Sequence, residues 1–336
     1  MRPWLRLVTL SLTLACVLTM LVASTSAPPA DAAGLNLRSG SKGPAVRTLE
    51  GRLKRLKVLP PTAVDRYYRA ATVNAVRLFQ RQQRVPTTGR VNRNTWNMIA
   101  RAVTSPFPAI IGHRGASMPG VPENTIRALQ HASAYAGMIE FDLRVTADRE
   151  FVLMHDASLA RTTNCTGQVA ARTLDYLRTQ CLAGDQPVPT LEEAAAYLAT
   201  VPDAIAPELK VSDLSDEELD HVLQVLRDEG LLGRTYLQSF SPSVLTRVRG
   251  LDPSVRTVLD SRSRVSVAAV KAAGAGTVAV EFGALGPNQV TTYKRAGLNV
   301  WVFTARTRLD LATARYRRAN AVITDNPRLA STYYRR

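Results

Sequence analysis

The first clear periodicity runs from Gly34 to Thr104. In LRSGSKGPAVRTLEGRLKRLKVL the apolar residues Val46, Leu49, Leu53 and Leu56 recur at intervals of three and four, and in DRYYRAATVNAVRLFQRQQRVP the residues Ala75, Val76 and Phe79 do the same. That spacing lines one side of a helix. A third helix is predicted in TGRVNRNTWNMIARAV, capped near Asn94 or Thr95, whose side chains can accept from the free N–H groups of a first turn. The second and third segments echo each other, DRYYRAAT against TGRVNRNT. Three short helices around a small shared core are expected over 34–104.

Ser105-Pro106-Phe107-Pro108 forms a short, stiff linker. Beyond it the pattern changes. Strand-like runs AIIGHRG, MIEFDLR, AIAPELK, TYLQSF, RTVLD, TVAVEF, NVWVFT and AVITD alternate with amphipathic segments such as TIRALQHASAYA, TLEEAAAYLATV, DEELDHVLQVLRDE, PSVLTRVRGL and NQVTTYKRAGL. Eight strands with helices between them predict an α/β fold, a (β/α)8 TIM barrel over 109–336. One apolar run, Phe151–Met154, follows the second strand too soon for a crossover helix. It reads as the return arm of a hairpin that sets Asp142 near Met154 and brings His155 to the rim that holds Glu140 and Asp142.

Composition sharpens this division. At 336 residues and 46% hydrophobic the chain can bury a large core and a small one. The net charge is +16, and Gly34 to Thr104 carries fifteen lysines and arginines against two acids, Glu50 and Asp65. The basic character therefore sits in the N-terminal module, which should seek a polyanion or phosphate-rich surface unless the charge serves only solubility. Residues 1–32 read as a signal peptide: Arg2 and Arg6, an apolar run from Leu7 to Ala23, then small residues with Ala-Asp-Ala ending at Ala32. An uncleaved membrane anchor is the alternative, against which the Pro/Ala stretch argues. The expected location is secreted or associated with a bacterial cell wall. Export leaves Cys165 and Cys181 in an oxidising compartment, where they can close one loop as a disulfide or remain two free thiols. Nucleic acid is not an expected partner: Phe79 and Trp96 of the basic region read as core, and export removes the usual ligands.

Functional groups of such a barrel gather at the C-terminal ends of its strands. Here those ends offer His113-Arg114, Glu140-x-Asp142, His155-Asp156 from the hairpin, and Glu208-x-Lys210. Alternate residues of a strand share a face, so three carboxylates converge and repel unless a hard divalent cation, Ca²⁺ or Mg²⁺, lies among them. Two imidazoles beside such a cation suit general base and general acid, and Arg114 and Lys210 suit a phosphoryl group. His131 and His221 fall inside helical segments and read as surface or core residues.

Residues 109–331 resemble the glycerophosphodiester phosphodiesterase family. The resemblance is carried by HRGA (113–116), PENT (122–125), EFDLRVTAD (140–148), HD (155–156), LARTTN (159–164), PTLEE (189–193), ELK (208–210), QSF (238–240) and TDNP (324–327). It implies one bound divalent cation on Glu140, Asp142 and Glu208, His113 and His155 as the acid–base pair, and Arg114 and Lys210 on the phosphate. Phe303, in an FTAR segment that departs from the family's WTVN-like one, is expected near the leaving-group pocket. Cys165 replaces a common glycine, which suggests a disulfide-pinned loop over the site. Residues 34–104 resemble a peptidoglycan-binding module through Leu37–Gly40, Gly43, Val46, Leu49, Thr72, Ala75-Val76, Phe79-Gln80, Gly89, Val91 and Thr95-Trp96. Arg66 and Arg69 stand where that family has turn glycines, and Glu50 where it has Gln.

The expected function is a wall-associated phosphodiesterase that hydrolyses a glycerophosphodiester, or a glycerophosphate polymer, to glycerol 3-phosphate and an alcohol. The alternatives are a phospholipase of the phospholipase C or sphingomyelinase D type acting on intact lipid, and a non-catalytic wall-binding protein. The first needs an apolar rim that the loops do not supply, and the second a missing ligand or histidine.

Overall fold

The structure is a computed structural model that describes residues 35–83, 85–286 and 288–334. The expected signal peptide lies outside the described residues. The first unit comprises β1 (Asn36–Leu37), α1 (Pro44–Arg55), α2 (Ala70–Gln82), β2 (Val91–Asn92) and α3 (Arg93–Thr104), with β1 antiparallel to β2. Val46, Leu49, Leu53, Leu56, Phe79, Trp96 and Ile99 form its buried core. The cap of α3 is Asn92 and neither Asn94 nor Thr95: Asn92 ends β2 in extended conformation, and its side-chain oxygen accepts from the Thr95 N–H at 2.8 Å. Residues further along are already helical and cannot present a side chain backwards in this way. Glu50 is buried in this module. Its carboxylate accepts from the N–H groups of Asp65 and Arg66, each at 3.0 Å, and from the Thr72 hydroxyl at 2.8 Å. An acid here organises the turn that carries Arg66, whose φ of 72° is left-handed.

The second unit runs β3 (Ala109–Gly112), α4 (Ile126–Ser133), β4 (Met138–Val145), β5 (Phe151–Leu153), α5 (Leu174–Gln180), β6 (Leu182–Ala183), β7 (Gln186–Pro187), α6 (Leu191–Ala199), β8 (Ala204–Leu209) and α7 (Asp216–Asp228). It continues with β9 (Tyr236–Ser239), α8 (Pro242–Leu251), β10 (Arg256–Ser261), α9 (Val267–Ala272), β11 (Thr277–Glu281), α10 (Gln289–Arg295), β12 (Asn299–Ala305), α11 (Arg308–Arg317), β13 (Ala321–Thr324) and α12 (Pro327–Tyr334). The strands follow the order β3-β13-β12-β11-β10-β9-β8-β4, all parallel, and β3 pairs with β4 to close a barrel of eight. Ile111, Ala206, Val258, Ala279, Trp301, Ala321 and Ile323 fill the interior, while a larger apolar layer packs strands against helices. Thr190 caps α6 and Ser215 caps α7 through reciprocal bonds with Glu193 and Glu218.

The extra apolar run forms β5, antiparallel to β4 with Leu143 opposite Leu153 and Val145 opposite Phe151. The Met154 N–H donates to the Asp142 carbonyl at 3.0 Å, the predicted register. Cys165 and Cys181 are joined, with Cα atoms 5.4 Å apart, beside a small separate core of Val152, Met154, Leu159 and Leu177. The two units also touch. Arg315 of α11 donates to the carbonyls of Ser105 and Val103, each at 2.8 Å, Tyr316 meets the edge of Phe79, and the Tyr333 hydroxyl of α12 donates to the Leu56 carbonyl at 2.9 Å.

Candidate active site

The strand β3 ends in a turn that only glycine permits. A Cβ on Gly115, where φ is +72°, would lie 2.5 Å from the Ala128 carbonyl carbon, and one on Gly112 would lie 2.6 Å from the Ala132 Cβ. Helix α4 therefore seats directly on the turn, and His113 and Arg114 are thrown toward the barrel mouth. Arg114 itself is left-handed, φ 55°, a conformation costing a side-chain-bearing residue about 1 kcal/mol. Its N–H donates to the Glu140 carboxylate at 2.6 Å, and the Gly115 N–H donates to the Glu140 carbonyl at 2.7 Å.

Pairing of β4 with β8 sets Asp142 opposite Glu208 and Glu140 opposite Ala206. Each of Glu140, Asp142 and Glu208 places a carboxylate oxygen within 4.8 Å of the others. All three are buried, and Glu140 Oε1 and Asp142 Oδ1 accept no hydrogen bond. Asn124 Nδ2 donates to the other oxygen of Asp142 at 2.7 Å, and Lys210 Nζ donates to Glu208 at 2.9 Å while lying 3.2 Å from Asp142. Burial, reinforced by Asp142 and Glu208, drives the Glu140 carboxyl well above its usual range. Burial and Asp142 push Glu208 up to about 7. Burial acts the same way on Asp142, but Lys210, His155 and Arg114 outweigh it and hold that carboxyl at about 2. Two carboxyls that resist ionisation, one that does not, and two unsatisfied oxygens form a donor set that fits a hard divalent cation.

Both predicted histidines line the same pocket, a cavity of about 220 Å³. His113 Nδ1 lies 2.5 Å from Asp325, and His155 Nδ1 lies 2.6 Å from Asp156. An ionised carboxylate only accepts, so each Nδ1 carries the hydrogen and each Nε2 is left for chemistry. Asp325 is held on its other oxygen by Arg306 at 2.8 Å, and Asp156 by Arg161 at 2.5 Å. Burial, assisted by Lys210 and Arg114, lowers the His155 pKa against the opposing pull of Asp142 and Asp156. Arg114 and Lys210 line the cavity; Arg114 also donates to Glu123 at 2.7 Å, and Glu123 accepts from Arg161 at 2.7 Å. Phe303 lies in the wall, edge-on to Phe240 with ring centres 6.1 Å apart.

All seven polar residues singled out in the sequence thus come together. His131 and His221 lie on α4 and α7, and neither lines the pocket. Several contributors carried no assigned role in the sequence. Glu123, Asn124, Asp156, Arg161 and Asp325 sit inside the motifs that carry the resemblance, which was the available signal. Asp260 had no signal. It is the penultimate residue of β10, lines the pocket, is buried, and keeps Oδ2 without a partner; burial, with Glu208 nearby, raises its pKa.

The profile of the Glycerophosphoryl diester phosphodiesterase family matches residues 113–329, and that of a peptidoglycan binding domain matches residues 42–99. Among curated relatives, YhdW of Bacillus subtilis is 30% identical over 234 residues, covering 65% of this chain and 94% of that protein. A glycerophosphodiester phosphodiesterase of the same species is 30% identical over 233 residues, covering 60% of this chain and 78% of its own. The barrel is shared with a solved phosphodiesterase of Oleispira antarctica in complex with the product sn-glycerol-3-phosphate, at TM-score 0.63 and 24% identity over 68% of this chain and 98% of that one. From this extent of match, the chain belongs to the glycerophosphoryl diester phosphodiesterase family and carries a peptidoglycan-binding-like module ahead of its barrel.

Proposed function

We propose that the chain is an exported, wall-associated, metal-dependent enzyme that hydrolyses glycerophosphodiesters to glycerol 3-phosphate and an alcohol. In this reading 1–32 is the signal, 34–104 the wall module, 105–108 the linker and 109–336 the catalytic unit. The observation that carries it is two carboxylate-backed imidazoles in one pocket with a buried carboxylate triad in which Glu140 Oε1 and Asp142 Oδ1 accept no hydrogen bond. Glu140, Asp142 and Glu208 would hold Ca²⁺ or Mg²⁺. When bound, the cation supplies Lewis-acid stabilisation of charge on a phosphate oxygen.

The chain's own residues do the rest. One histidine, His113 or His155, takes a proton at Nε2 from the attacking hydroxyl: water, which gives glycerol 3-phosphate directly, or a hydroxyl of the glycerol moiety, which gives a cyclic phosphate that a water then opens to glycerol 3-phosphate. The other delivers one from Nε2 to the departing alkoxide. Asp325 and Asp156 fix the tautomers and stabilise the imidazolium in turn. Arg114 and Lys210 neutralise charge on the phosphoryl group, and Phe303 and Phe240 line the pocket beside it. The glycerol 3-phosphate bound to the Oleispira phosphodiesterase supports the product assignment.

The test is release of glycerol 3-phosphate from glycerophosphocholine by the purified chain with Ca²⁺, with Mg²⁺ and with chelator. Metal-dependent release is expected. A rate in His113→Ala within threefold of wild type would sink the acid–base assignment, since such catalysis is worth at least about a hundredfold.

A further inference from the structure

A second cavity, about 600 Å³, opens where the N-terminal module meets the barrel. The module contributes Lys54 and the segment through Pro60, and the barrel contributes Arg308, Leu329 and Tyr333. Val58, Leu59, Pro60, Pro61 and Leu329 give it an apolar lining, and that lining contains no acidic side chain. Lys57 is committed to the structure: its amine donates to the Tyr333 carbonyl at 2.6 Å and lies over the Tyr333 ring. Lys54 and Arg308 are different. Both are exposed, and neither joins any ion pair among the described residues. Two cations from separate units thus converge on one trough with nothing to neutralise them.

The trough is also tied to the catalytic mouth by two elements. At the end of β12, Arg306 lines the catalytic pocket, and Arg308, two residues on, lines the trough. At the end of β13, Asp325 holds His113, and Leu329 on α12 lines the trough. Arg306 and Arg308, two residues apart, thus stand in the two recesses, and Lys54 lines the second from the module's side.

We propose that this groove between the units is a binding site for the continuing chain of a polymeric substrate whose backbone is a string of phosphodiesters. One link sits in the barrel, and the following phosphates lie against Arg308 and Lys54. Unpaired cations beside an apolar lining suit alternating phosphate and carbon segments; a neutral glycan would gain nothing from them. The proposal rests on the phosphodiesterase reading and adds the substrate class to it.

The experiment compares the full mature chain with Lys54→Glu/Arg308→Glu, both at exposed positions. A control, Arg47→Glu/Arg81→Glu, makes the same charge change on exposed residues that do not line the trough. Binding of fluorescent poly(glycerol phosphate) is read by anisotropy and turnover of glycerophosphocholine in parallel. The expected result is at least about tenfold weaker polymer binding in the groove variant, a smaller loss in the control, and glycerophosphocholine turnover within about twofold of wild type in both. Equal polymer binding in wild type and groove variant overturns the proposal. An equal loss in the control overturns it too, because diffuse charge then accounts for binding. A wild type inert toward glycerophosphocholine would sink the phosphodiesterase reading instead, and the anisotropy comparison would still decide the groove.

Discussion

A histidine with an uncommitted ring can rotate; the rings of His113 and His155 are fixed in orientation, because each Nδ1 is held by a carboxylate. Replacing that carboxylate by its amide keeps the shape and removes the charge that favours the correct tautomer. Asp325→Asn is expected to lower kcat by about 10²-fold or more with little change in KM, measured by steady-state release of glycerol 3-phosphate. Equal loss in kcat and rise in KM would instead mean that Asp325 acts through Arg306 on substrate binding. Asp260 poses the opposite case, a buried acid with an oxygen that nothing satisfies. Asp260→Asn should raise the melting temperature by a few degrees in calorimetry, since a buried carboxyl without a partner costs stability that an amide reduces. These residues differ in legibility. Asp156 is adjacent to its histidine in sequence. Asp325 lies 212 residues from His113, and only the pairing of β13 with β3 makes them neighbours.

Among the elements, the insertion between β4 and α6 is the clearest case of sequence pattern becoming geometry. The apolar run of 151–154 and a four-residue turn were enough to give the register that returns His155 to the rim. The packing beyond it was not readable. Cys165 and Cys181 close a loop whose small core is separate from the barrel's. Cys165→Ser/Cys181→Ser should destabilise the protein by about 3 kcal/mol, visible as a lower melting temperature without reductant and no further loss with it. The same insertion is tethered to the α4 side by Glu123, which bridges Arg114 and Arg161. Burial pushes the Glu123 carboxyl up, and Arg161 and Arg114 outweigh it, so its folded pKa lies below the usual glutamate value. A depressed folded pKa stabilises above the unfolded value and is lost as pH falls through the folded one. Glu123→Gln should therefore melt below wild type at neutral pH, and the gap should shrink as pH drops below about 4.5. A gap independent of pH would assign the effect to shape alone.

At the scale of the molecule, the parallel pairing of β4 with β8 gathers three carboxylates at the barrel mouth, with oxygens within 4.8 Å of one another. Ca²⁺ or Mg²⁺ is therefore expected to raise the melting temperature of chelator-treated protein, and Glu208→Gln to remove most of that rise, read by calorimetry without any substrate. A rise retained in Glu208→Gln would place the ion elsewhere. The sequence by itself determined the fold class, the hairpin and which seven polar residues meet at the barrel mouth. Those follow from local rules: a period of two or 3.6, a turn too short for a helix, and strand ends that carry chemistry. Helix capping at Asn92, the Glu123 bridge, the unpartnered Asp260 and the trough shared by Lys54 and Arg308 were decided only by the tertiary structure. Each depends on which distant segments the barrel and its docked module bring within a few ångströms, or on a backbone conformation one residue long, and no periodicity along the chain encodes either.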